Sequence, residues 1–233
     1  MRADRNLSAG TNLQAHASTG RRITGLATAV APPGVVQAAA FNYGPAPQTA
    51  TFPSPVTSGN LLVAAVGLDA FGVATVTDGL GSSWAAAVVN NPGSFFAVGL
   101  HWAKAAASGT DTVTVHTTNS AQTVGQLYEV SGVASATPVD QTGVSGTGAV
   151  AAVVAPNLAG LAGAADLVIY WVFNGSQNTV PVGGIWTSDF TATVAGGHFV
   201  AAAYATTGPS VTGPTFNPGV NAQFVCAGAA FHP

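Results

Sequence analysis

Charge is what this sequence has least of. Asp, Glu, Lys and Arg together make up 6 % of its 233 residues, against roughly 25 % in an average globular protein. Lys104 is the only lysine, and the only cation after Arg22. The other four cations, all arginines, are spread over the first 22 residues without aromatic interleaving, a weak polyelectrolyte site, so nucleic acid is not expected as a partner. It is also too apolar for an intrinsically disordered chain. Cysteine is nearly absent: Cys226 stands alone, so no intrachain disulfide can form, and its place in "QFVCAGAAF" predicts a buried apolar side chain. Long hydrophobic runs are missing too. Gly, Pro, Ser, Asn and Thr interrupt every apolar stretch before the roughly 18 to 20 residues of a spanning helix, and the four Trp and four Tyr do not form the girdles of an outer-membrane barrel. No membrane insertion is expected. "GRRITGLATAVAPPG" invites a twin-arginine export reading, but its apolar run is short and stops at Pro32-Pro33-Gly34, so no cleaved leader is expected.

Catalytic signatures are equally scarce. His16, His101, His116, His198 and His232 show no metal-binding spacing, and His101 reads as an outward or sheet-edge residue. Glu129 is the only glutamate, with no second acid placed to form a glycosidase pair. "GVSGTGAV" lacks the third glycine of a dinucleotide loop, and no G-x-S-x-G elbow occurs. Lys104 reads as a strand-end residue whose stem covers apolar surface. Asp78 and Asp111 sit in Gly-containing turns, where carboxylates cap backbone N–H groups. The expectation is a protein that is not an enzyme and holds neither cofactor nor metal.

What is present is a lopsided charge layout over a β-type texture. Arg2, Arg5, Arg21 and Arg22 lie in the first 22 residues, while seven of the eight acids lie beyond residue 60. Residues 1–40 lack sustained alternation and read as an extended basic arm that orders on a partner, with the four arginines as its contact residues. From Phe41 onward, short β-type runs alternate with turn residues. In "DTVTVHTT", Val113 and Val115 share one face while Thr112, Thr114 and His116 share the other. A replay follows about 100 to 105 residues later: "LVAAVGLD" at Leu62 against "LVIYWVFN" at Leu167, Trp84 against Trp186, "FFAVGLHWAK" against "HFVAAAYATT", and "TVGQLYEVSG" against "QFVCAGAAFHP". These features predict an all-β, jelly-roll-like, two-sheet antiparallel sandwich over 41–233. It is built jointly from pseudo-repeats at about 55–133 and 160–233, behind the arm.

The succession "PVTSGNLLVAAVGLD", "TVTDGLGSSW", "LHWAKAAASGTDTVTVHTT" and "GQLYEVSGV" resembles a β-sandwich module of tailed-bacteriophage virion proteins that also occurs in bacterial surface proteins. In that module a Gly-rich turn ends in Trp, and an aromatic strand is followed by K/R-x-A-x-x-G-x-x-x-V-T-V, matched here from Lys104 to Val115. The likeness covers Pro55 to Val133 well and the remainder loosely, and its motifs mark fold and carry no catalytic residues. It implies a structural protein on the virion exterior, as capsid decoration, fibre or minor tail protein, whose partners are other virion proteins and whose preferred state is a homotrimer. The rival from another class is a secreted adhesin or carbohydrate-binding module, with Trp102 or Trp171 stacking on a host-surface glycan.

Overall fold

The computed structural model describes residues 31–93, 95–119, 121–133, 137–146, 149–150, 153–162, 165–175, 184–194, 197–216 and 222–233. Arg2, Arg5, Arg21 and Arg22, and the arm reading up to residue 30, lie outside the described residues. The described chain is all-β. Its first half comprises β1 (Gly34–Pro45), β2 (Gln48–Thr51), β3 (Leu61–Leu68), β4 (Ala74–Asp78), β5 (Ala85–Asn90), β6 (Ala97–Lys104), β7 (Thr112–Thr117) and β8 (Gln122–Ser131). Its second half comprises β9 (Val139–Ser145), β10 (Ala149–Val150), β11 (Val153–Val154), β12 (Leu158–Ala159), β13 (Asp166–Asn174), β14 (Thr187–Val194), β15 (His198–Thr207), β16 (Ser210–Val211), β17 (Thr215–Phe216) and β18 (Ala222–Phe231).

The molecule is a sandwich of four layers. In the middle, the sheet β1-β8-β3-β6-β5 faces the sheet formed by β9 and β10 on β18, then β13, β15 and β14. Between them lies a core that includes Leu61, Val63, Tyr128, Ile169, Trp171 and Phe173. The expected two-sheet sandwich drawing on both halves is this central pair. Each large sheet also carries a layer on its other face: β2-β7-β4 over a core with Phe41, Leu62 and Val113, and the short ladders β11-β17 and β12-β16 over Val168, Tyr170 and Phe216. Consequently β3 and β13 are buried on both faces along their whole length, which is why "LLVAAVGL" and "DLVIYWVFN" are continuous apolar runs without alternation. β7 covers only one face, so its valines point inward, and the Thr112 hydroxyl is bonded to that of Thr51 at 2.8 Å on the outside.

The two halves share strand order and irregularities. β1-β8-β3-β6-β5 corresponds to β9-β18-β13-β15-β14. A bulge falls between Val35 and Gln37 opposite β8, and another between Val139 and Gln141 opposite β18; a second pair of bulges falls at Ala86/Val88 and Ser188/Phe190. The hydrogen bond from Asp69 N to Gln122 O (3.0 Å) has its counterpart from Gly175 N to Gln223 O (3.0 Å). These matches pair Leu61 with Leu167 and Phe96 with His198, one residue away from the alignment read off the sequence. Only Trp84 with Trp186 coincides. The slip matters because one residue reverses every side chain between the two faces of a sheet.

Two boundaries also move. Residues 34–40, read as arm, are strand β1, where Phe41 is buried and Gln37 reaches Glu129. The second half begins at Val139, not near 160, because β9 supplies its edge strand. Among the described residues, no helix is long and apolar enough to cross a membrane.

Candidate functional site

Trp171 cannot serve as the glycan platform expected of it. Its exposure is 0 %, it stacks on Phe190 at 5.3 Å in the central core, and it presents no face to a ligand. Trp102 is half-buried against the same core. His101 is likewise a correction: it lies opposite Ala64 on the face of β6 turned towards the β2-β7-β4 layer, at 5 % exposure, and burial pushes its imidazole down to about 4. An outward histidine would keep its hydration; this one has lost it.

Most acidic side chains hold turns or seams together. The Asp78 carboxylate accepts from Ser82 N (2.8 Å) and Trp84 Nε1 (3.0 Å). Burial pushes this carboxyl up, but the hydrogen bonds from Ser82, Trp84 and Gly81 outweigh it and hold it below the ordinary aspartate range. Asp111 accepts from Gly79 N at 3.2 Å and is pushed up by burial and by the Asp78 charge. Both therefore cap turn amides, as their neighbouring glycines predict. Glu129, at 1 % exposure, accepts from Gln37 Nε2 (2.6 Å), Thr57 N (2.8 Å) and Asn60 Nδ2 (2.7 Å). It locks the turn before β3 onto β8. Asp189, at the β14 bulge, accepts from the Tyr128 hydroxyl at 3.1 Å across the central layer. The residue keeps solvent contact, yet desolvation around its carboxyl pushes it up to about 6. Lys104 closes the end of β6, donating to Val133 O (2.9 Å) and Gly59 O (3.3 Å), and burial lowers its pKa.

One cluster is different, because its polar atoms face open space. Where the ends of β3, β13, β15 and β18 meet, Asp69, Phe95, Phe96, Gly175, His198 and Gln223 line a cavity of about 300 Å³. The first three belong to one half and the last three to the other, so the cavity exists only because the halves pack together. Tyr43 donates to Asp69 Oδ2 at 2.7 Å, and burial together with the Asp69 charge pushes the phenol up, keeping it a donor. Asp69 Oδ1 lies 3.7 Å from His198 Nε2, too far for a direct hydrogen bond. Beneath them Phe96 stacks on Phe173 (4.6 Å) and meets the His198 ring edge-on (5.0 Å), which fixes the floor. Phe95 stands at the rim, 67 % exposed.

A second and larger hollow, about 710 Å³, lies on the second half between the Ile185-Trp186 turn and the segment from Ser210 to Thr215. Its wall is held by Gly213 N donating to Asn157 Oδ1 (3.1 Å) and Ala155 N donating to Pro214 O (3.0 Å). Its lining carries no ionisable group.

Neither Asp69 nor Phe95 stands out in the sequence reading. The available signal is positional: an acid directly after a fully apolar strand, and a Phe-Phe pair of which only the second can enter the core. Among the described residues no three His, Cys, Asp or Glu side chains converge as a metal-binding group. Comparison with family models, with curated proteins and with solved structures finds no match to this chain.

Proposed function

We propose that this chain is a non-enzymatic structural protein exposed on a bacteriophage virion, as capsid decoration, fibre or minor tail protein, held to the particle by its N-terminal segment. The observation that carries this reading is the division of charge. Residues 1–30 hold four arginines against Asp4, a net +3, whereas residues 31–233 hold Lys104 against seven acids, a net −6. A cationic leader on an anionic, rigid body suits docking of the leader into an acidic partner surface while the body stays outside. The use of carboxylates as turn caps and seam ties also suits a scaffold, since Glu129, Asp111 and Asp78 are committed to backbone amides and Asp189 to the Tyr128 hydroxyl. The resemblance over Pro55–Val133 supplies the particle, and a homotrimer is the arrangement proposed there.

The structure sharpens the test. A cut after residue 40 would remove half of β1 together with Gln37, a partner of Glu129, and would confuse loss of fold with loss of anchor. Deleting residues 1–30 leaves β1 whole. The expected result is a shortened chain with an unchanged melting temperature that no longer co-sediments with particles; undiminished incorporation overturns the proposal. A secreted adhesin or carbohydrate-binding module is the second reading. Trp171 no longer supports it, but the seam cavity does.

A further inference from the structure

The seam cavity is built for a ligand whose groups both donate and accept hydrogen bonds. Asp69 Oδ2 is already engaged by Tyr43, which orients the carboxylate and leaves Oδ1 turned towards His198 Nε2 across 3.7 Å. That gap is too wide for a direct bond, whereas one ligand hydroxyl set beside it can bond to both atoms. A carboxylate accepts from two adjacent hydroxyls at once, and such charge-assisted bonds are among the stronger neutral-ligand contacts. Gln223 also lines the cavity, where its backbone carbonyl already accepts from Gly175 N. Phe95, two-thirds exposed at the rim, offers an aromatic face to an apolar C–H surface. At about 300 Å³ the cavity lies at the small end of ordinary ligand sites.

Ionic ligands fit this set less well. An anion would face the Asp69 charge, and a quaternary ammonium has no N–H to place between Asp69 and His198. We infer that the cavity at the seam of the two halves binds a neutral pyranose unit, with Asp69 and His198 bridging its hydroxyls, Gln223 at its edge and Phe95 stacked on its C–H face. The inference stands apart from attachment to a particle. It involves no residue of the N-terminal segment, so sugar binding and incorporation fail or survive separately.

Saturation-transfer NMR on the full chain tests it. The probes are methyl glycosides of glucose, galactose and mannose and N-acetylglucosamine, with choline and glucuronate as cationic and anionic comparators. At least one neutral pyranoside is expected to bind, and its affinity is expected to fall roughly tenfold or more in Asp69→Asn, the weakening of hydrogen bonds to a charged group corresponding to about that factor, and severalfold in Phe95→Ala with the loss of the stacked ring. Asp69→Asn keeps an acceptor for Tyr43, and Phe95 is exposed, so both variants retain the fold, which their melting temperatures verify. Trp186→Ala, in the other hollow, leaves binding unchanged. No saturation with any pyranoside, stronger binding of choline or glucuronate, binding that survives both seam variants, or binding lost with Trp186→Ala each overturns the assignment.

Discussion

Replacing Glu129 by glutamine changes one oxygen to an NH₂ group, and the surroundings dictate what that costs. The carboxylate accepts from Gln37 on one oxygen and from Thr57 N and Asn60 on the other. A glutamine can keep its oxygen towards Thr57 and Asn60, but it then points NH₂ at the Nε2 of Gln37. Gln37 cannot turn over to compensate, because its Nε2 also donates to Ser54 O (3.0 Å) and its Oε1 accepts from Ser54 N (2.9 Å). One donor is therefore left facing a donor, at about 1–3 kcal/mol, and the two surviving bonds lose their charge assistance, at about 0.5–1 kcal/mol each. Glu129→Gln is expected to lower the unfolding free energy by about 2–5 kcal/mol, read from urea denaturation at neutral pH. In a double-mutant cycle with Gln37→Ala, which removes the opposing donor, the combined loss should fall short of the sum by about 1 kcal/mol or more. A Glu129→Gln protein within about 0.5 kcal/mol of wild type would refute the reasoning, since that is the range of surface substitutions without a specific role.

Two further outcomes follow from buried contacts. His101 is neutral in the folded protein because burial lowers its pKa from 6.5 to about 4. The unfolded chain therefore takes up the proton first, and stability is lost as pH falls from about 6.5 towards 4, by about 3 kcal/mol at roughly 1.36 kcal/mol per unit. His101→Gln should flatten that limb of the stability–pH profile, and an identical acid slope in the two proteins would contradict the placement. In the central layer, a methyl group on Gly67 would come within 2.7 Å of the Phe173 ring and 3.1 Å of Trp171 Nε1. Gly67→Ala should thus cost roughly 1–3 kcal/mol by overpacking. Phe173→Leu in the same chain should recover part of it, whereas strict additivity of the two changes would mean that the large sheets do not meet there.

The turns were readable because their chemistry is local. Asp78-Gly79 announces a carboxylate near free backbone amides, and Trp84 and Trp186 each follow a glycine-rich turn, which aligned them correctly between the halves. Register between the strands was not readable. Leu61 to Leu68 and Asp166 to Asn174 are buried on both sides, so their sequences lack the polar–apolar alternation that tells one face from the other. Without that mark, an alignment by residue similarity slid by one position and paired residues that point in opposite directions. The same double burial misled the reading of Trp171: beside a strand with one wet face a tryptophan can reach solvent, but a sheet enclosed on both sides leaves it no outlet.

By itself, then, the sequence determined an all-β sandwich, its turn caps, its internal duplication and its separation of positive leader from negative body, all of which depend on composition or on residues close together along the chain. Only the tertiary structure decided that each large sheet belongs to one half and carries a further layer outside. It alone brings Asp69 to His198, 129 positions apart, because that meeting depends on how one half sits on the other, and no local pattern encodes it.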